Sequence, residues 1–151
     1  MIYLLVSFLG CVCGYLIGMF TQEELKPGLV YLKVFGFIVL AGIIFGFSYS
    51  SFNIFLFFIG IIAGLLLKFE YFYFGLGLIS AGSFLNNALV FVYGLPYGSL
   101  AFYNKKKILL VYSSIFFAVS LMSYFLNYNF VSFAGGGLIG VLLFKLWQIF
   151  H

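Results

Sequence analysis

Apolar residues run along this chain in long unbroken stretches, without the regular polar interruptions of a water-exposed helix or strand. From Ile54 to Leu67 every residue is apolar or glycine. Long runs of this kind, bounded by short polar breaks, predict helices, because a half-buried strand would alternate. The breaks divide the chain into six predicted helices: Ile2–Phe20, Leu29–Phe47, Ile54–Leu67, Tyr71–Tyr93, Ile108–Leu126 and Phe130–Ile149. The stretch Thr21–Gly28 is the most polar in the chain, and its Pro27-Gly28 is a strong turn signal. Ser48–Asn53, Lys68-Phe69-Glu70 and Asn127-Tyr128-Asn129 supply further turns, and Gly94-Leu95-Pro96-Tyr97-Gly98 leads through Tyr103-Asn104 into Lys105-Lys106-Lys107.

A helix needs about 20 apolar residues to cross a bilayer. Lipid offers no partner for backbone polar groups, so only helices and closed barrels span it, and a barrel requires alternation. The expected fold class is therefore an all-α integral membrane protein, one domain over residues 1–151 in a compact bundle of about six transmembrane helices. The third helix is short for a span and needs local thinning of the bilayer or snorkelling of Lys68. The first segment lacks a basic leader and a convincing small-x-small cleavage site, so it reads as a retained helix.

Composition agrees with this picture. The chain is 66% apolar and 7% charged, against about 45–50% and about 25% in soluble domains. Its net charge of +4 comes from seven lysines and three glutamates, with no Arg or Asp. Lysines at helix ends serve orientation and headgroup contact, so no nucleic-acid partner is implied. The lysine-only, Phe- and Asn-rich usage points to a prokaryotic cell membrane. With six crossings both termini share a side, and the density of Lys105, Lys106 and Lys107 places that side in the cytoplasm.

The halves of the chain also align with each other. The second and third predicted helices lie over the fifth and sixth, Gly60 falls on Gly137, and Ser7-Phe8-Leu9 matches Ser83-Phe84-Leu85. Three spans repeated once must invert, which predicts a 3+3 inverted repeat of the kind found in secondary transporters.

Four patterns carry candidate chemistry. Small residues recur every fourth position: Gly10, Gly14 and Gly18, then Gly60 and Gly64, with similar pairs elsewhere. Such a glycine zipper lets backbones approach closely, and it predicts either static packing or, on the first helix, a homo-oligomer or membrane-protein interface. Ser80, Ser83, Asn86 and Asn87 on the fourth helix, with Ser113, Ser120, Ser123 and Asn127 on the fifth, form polar stripes at helical spacing. They read as an uncharged polar lining for a solute or as interhelical hydrogen bonding. Gly94, Pro96 and Gly98, and the run Gly135-Gly136-Gly137, are candidates for a broken helix. Lys105, Lys106 and Lys107 are candidates for headgroup contact.

Missing chemistry narrows the field. Lys68-Phe69-Glu70 reads as an interfacial turn, which leaves no ionisable residue near a bilayer midplane and no proton relay. Cys11 and Cys13 lie about 200° apart on a helix and cannot pair with each other, and the one histidine is His151. No metal site, cofactor site or catalytic constellation is visible, so an enzyme is not expected. The expected function is transport or conduction of a small uncharged or weakly charged solute. The alternatives are a noncatalytic subunit of a larger membrane complex and a lipid-interacting protein.

Overall fold

The structure, a computed structural model, describes residues 2–50, 52–104, 107–126 and 129–150. Ser51, Lys105, Lys106, Asn127, Tyr128 and His151 lie outside the described residues, and with them the roles expected of Asn127 and of two lysines of the triplet. The described chain is all-helical, with seven helices and no strand: α1 (Ile2–Phe20), α2 (Gln22–Ser50), α3 (Ile54–Leu66), α4 (Glu70–Ala81), α5 (Phe84–Asn104), α6 (Lys107–Leu126) and α7 (Val131–Phe150). Among the described residues one stretch, Glu23–Tyr49 in α2, is long and apolar enough by itself to cross a membrane, with a mean hydropathy of 2.3. Leu4–Phe20, Ile54–Leu66, Val111–Leu126 and Val131–Trp147 are apolar but shorter.

Three boundaries differ from the sequence expectation. Pro27-Gly28 makes no turn; both residues lie within α2. The chain instead reverses at Thr21, whose N–H and hydroxyl both donate to Ile17 O at 2.9 Å. Thr21 O in turn accepts from Glu24 N and Leu25 N, starting the next helix. Glu23 and Glu24 fall in its first turn, where carboxylates complement the helix dipole.

The second difference adds a helix to the expected six. The predicted helix Tyr71–Tyr93 is two helices, broken at Gly82, whose φ of 57° lies in the left-handed region. A glycine adopts that conformation without a Cβ penalty and closes a helix by bonding back. Gly82 N donates to Leu78 O, and Ser83 Oγ then accepts from Asn86 N at 3.4 Å as the cap of α5. The third difference is at Pro96, which ends nothing: it is buried inside α5, which continues to Asn104. Gly135-Gly136-Gly137 likewise sits within a continuous α7.

Glycine contacts fix the direction of each helix. Gly10, Gly14 and Gly18 of α1 meet Phe91, Leu95 and Ser99 of α5 in the same order, so those helices run parallel. Gly60 and Gly64 of α3 meet Phe133 and Gly137 of α7 in the same way. Gly36, Gly42 and Gly46 of α2 meet Pro96, Leu89 and Asn86 of α5 in falling order, so α2 is antiparallel to it. The even-numbered helices thus run against the odd-numbered ones.

Two expectations are corrected by this alternation. A 3+3 inverted repeat would oppose α1 to α5 and α3 to α7, yet each pair is parallel. Gly60 and Gly137, which the alignment superposes, are packed against each other instead. An odd number of traverses also puts the start of α1 and the end of α7 at opposite ends of the bundle, so the even count behind the expectation of termini on one side does not hold.

Charge divides along the same axis. Lys26 and Lys33 in the first half of α2, Lys68 after α3, Lys107 at the start of α6 and Lys145 in the last turns of α7 all lie toward one end. Lys105 and Lys106 fall in sequence between α5 and α6, and Glu23, Glu24 and Glu70 belong to the same half. The opposite end carries serines and asparagines: Ser48, Asn53, Ser80, Ser83, Asn129 and Ser132. There Asn53 caps α3 by accepting from Phe55 N and Leu56 N, and its own N–H donates to Ser132 Oγ at 2.7 Å.

The shortest helix, α4, fills the middle of the bundle. Glu70, Tyr71 and every residue from Tyr73 to Leu78 are buried. At 1.5 Å per residue its 12 residues span about 18 Å, so with its last turn level with the start of α7 its first residue stops inside the layer formed by its longer neighbours. Phe47, Val90, Phe116, Ala134 and Leu138, all fully buried, belong to the core around it.

Candidate functional site

Both ends of α4 carry features that the chain could use. At its first residue, Glu70 forms an ion pair with Lys145 of α7. The carboxylate is buried (side chain 2% exposed), whereas the lysine side chain is 34% exposed. Tyr93 Oη donates to Glu70 Oε1 at 3.4 Å. Tyr97 stacks on Tyr93 with ring centres 5.7 Å apart, and Tyr112 and Tyr71 close on Tyr97 edge-first at 5.6 and 5.2 Å. The Lys145 ammonium lies 5.8 Å from the Tyr97 ring centre, within the range of a cation–π contact.

This cluster corrects the expectation that no charge is buried. Lys68-Phe69-Glu70 is not a turn at the edge of the bundle, because α4 is short and starts inside. Its first residue therefore reaches Tyr93, midway along α5. A charge taken out of water needs a partner and hydrogen bonds, and Lys145 and Tyr93 supply them. The signal available in the sequence was a single acid and a single base, each set in an apolar run, where buried ionisable groups pair.

At the other end of α4 lies a cavity of about 580 Å³. Leu4 and Leu5 of α1, Leu78, Ile79 and Gly82 at the end of α4, Asn87 of α5, and Phe117, Ser120, Leu121 and Tyr124 of α6 line it. It opens toward the uncharged end, where Leu5, Leu121 and Tyr124 are exposed. Its wall is apolar apart from Asn87, Ser120 and the Tyr124 ring.

Of the predicted polar stripe, then, the structure brings Asn87 and Ser120 to one cavity. Of the remaining described members, Ser80, Ser83 and Ser123 make hydrogen bonds within the bundle. Ser80 Oγ donates to Leu76 O at 3.2 Å and accepts from Phe130 N. Ser123 Oγ reaches Leu76 O at 3.4 Å, and Ser83 caps α5. Asn86, next to Asn87 in sequence, points to the other side of α5 against Gly46 of α2. Ser113 is half-buried on α6 and does not line the cavity. Asn87 and Ser120 also bond within the bundle: Asn87 Nδ2 donates to Ser83 O at 2.8 Å and Oδ1 accepts from Ser7 Oγ, while Ser120 Oγ donates to Gly75 O.

The glycine motifs act inside the molecule. A Cβ on Gly10 or Gly14 would overlap the backbone of Phe91 or of Gly94 and Leu95. Gly94 and Gly98 reciprocate against Gly10, Cys11, Gly14 and Tyr15, and Ser99 Oγ donates to Gly14 O at 2.8 Å. The triple on α1 is thus an internal seam with α5 and not a face offered to a partner. Gly136, Gly137 and Gly140 pack on α3 and on the Tyr73 ring, with Gly135 beside Phe47. Gly94, Pro96, Gly98 and the triple glycine serve close helix contact rather than an unwound segment.

Compared with known proteins, the chain matches no protein family, no curated protein and no solved structure.

Proposed function

We propose that this chain is an integral membrane protein that takes a small amphiphile into the cavity beside the end of α4. Its polarity is inverted relative to a water-soluble bundle, which supports placement in lipid. Phe20, Phe45, Phe55, Phe84 and Phe125 are 73–81% exposed, while Glu70, Asn86, Asn87 and five serines are buried. Only 17% of the apolar stretch in α2 is buried, whereas the core helix of a soluble protein is buried over most of its length. The one-sided lysines support an orientation with that end in the cytoplasm, so that α1 starts outside and α7 ends inside.

The cavity is the observation that carries the functional reading. Its volume lies in the range of small-molecule sites, and such sites combine apolar walls with a few placed polar groups. Leu78, Ile79, Phe117 and Leu121 suit an acyl-like body, and Asn87 with Ser120 offers one hydrogen-bonding locus for its head. Conduction of ions or of a strongly polar solute has less support, because most of the stripe's hydroxyls already bond within the bundle. The reading is tested by titrating delipidated protein with a fluorescent fatty acid. Leu121→Trp should fill the mouth and weaken binding about tenfold, equivalent to about 1.4 kcal/mol, with the melting temperature unchanged. Equal binding by both proteins would remove the cavity from the mechanism.

A further inference from the structure

We infer that the tyrosine cluster around Glu70 is a recognition site for an organic ammonium group, with the Lys145 ammonium as its resident, displaceable occupant. The chemistry is that of a cation cage. A buried carboxylate supplies the charge, Tyr93 Oη braces it, and the rings of Tyr97 and Tyr112 offer aromatic faces and edges. Ring faces attract ammonium and alkylammonium ions. Metal cations of the hard type need six or more oxygens, and here one carboxylate and one phenol converge.

One observation distinguishes this from a closed structural pair. The partners differ in access: the Glu70 side chain is sealed, but Lys145 keeps a third of its surface exposed, so its flexible stem can withdraw toward the lysine-bearing end without unfolding α4. The fully buried Tyr71 ring belongs to the same cluster. Tyr71 stands 5.2 Å from Tyr97 and 5.9 Å from Tyr112, ring to ring. Lys68, the neighbouring base, lies over the Phe144 ring at 3.7 Å.

Thermal unfolding in detergent with methylammonium, tetramethylammonium or sodium chloride at equal ionic strength tests the assignment. Lys145→Met vacates the cage, and methylammonium should stabilise this variant in a saturable way, at least about tenfold more tightly than it does the wild type, where it must compete with a tethered ammonium. The double variant Glu70→Gln/Lys145→Met should show no response, and Tyr97→Leu in the Lys145→Met background should weaken it. An absent response in folded Lys145→Met, or one that sodium reproduces, overturns the assignment. If Lys145→Met folds only when methylammonium is present during purification, that rescue supports the site. If neither it nor Lys145→Gln is recovered even then, the site is refuted, because the ligand has failed to replace the missing group.

Discussion

Glu70 and Lys145 show how a single residue pair changes the reading of a chain with ten charged side chains. Removing one member of a buried ion pair strands the other in a medium that cannot solvate it, at a cost of about 3–5 kcal/mol, whereas replacing both by apolar groups is often near neutral. Lys145→Leu, which strands the sealed Glu70, is therefore expected to lower the unfolding midpoint strongly, and Glu70→Leu less, because the partly exposed Lys145 can withdraw. The double variant should recover most of the loss, which a double-mutant cycle measures as coupling. Independent, additive effects would show that the pair is not formed. Glu70 was misplaced from sequence for a physical reason: it borders an apolar run on one side and a lysine on the other, the usual setting of an interfacial residue. Nothing local shows that the helix it opens stops short of the surface. The polar stripes were legible as inward-facing groups, because amides and hydroxyls avoid lipid. Which of them line a cavity depends on Gly82, which separates Ser80 from Asn87 into different helices.

At the scale of elements, the glycine seams were legible and their partners were not. Repeats of small residues announce close backbone contact, but only the folded chain shows that α1 uses its glycines on α5 and α3 on α7. The three kinds of glycine here predict three outcomes in one unfolding series. Gly14→Val should prevent stable folding, since even a Cβ would overlap the carbonyl of Leu95. Gly82→Ala meets no neighbour but must hold a φ of 57°, at a cost of about 1–2 kcal/mol. Gly28→Ala, with open space around it inside α2, should gain up to about 1 kcal/mol of helix propensity. A destabilised Gly28→Ala would contradict the placement of Pro27-Gly28 within the helix. The missed break at Gly82 has the same lesson, since a single glycine in a long apolar run reads as helix until its dihedral is known.

For the whole molecule, helix count decides topology, and the count turned on that one break. Six spans divide the lysines between two faces; seven alternating helices gather them toward one. A fluorescent protein fused after α7 is expected to be bright in the cytoplasm, and alkaline phosphatase inserted in the α2–α3 connection is expected to be active outside. Both reporters on one side would refute the alternating seven-helix order in the membrane, and the reverse pattern would refute the orientation drawn from the lysines. All-helical architecture and most helix positions were legible from unbroken hydrophobicity alone. The parallel pairing of α1 with α5 and of α3 with α7 was not, because an alignment of two halves carries no direction.

The brevity of α4 has a consequence for biogenesis. A segment of 12 residues is too short to partition across a bilayer as an independent unit, where about 20 are needed. Its glutamate finds its counter-ion in α7, synthesised three helices later. The centre of the bundle therefore cannot be completed in the order of translation. Under the proposed membrane placement, insertion leaves the fourth segment provisional until the seventh arrives.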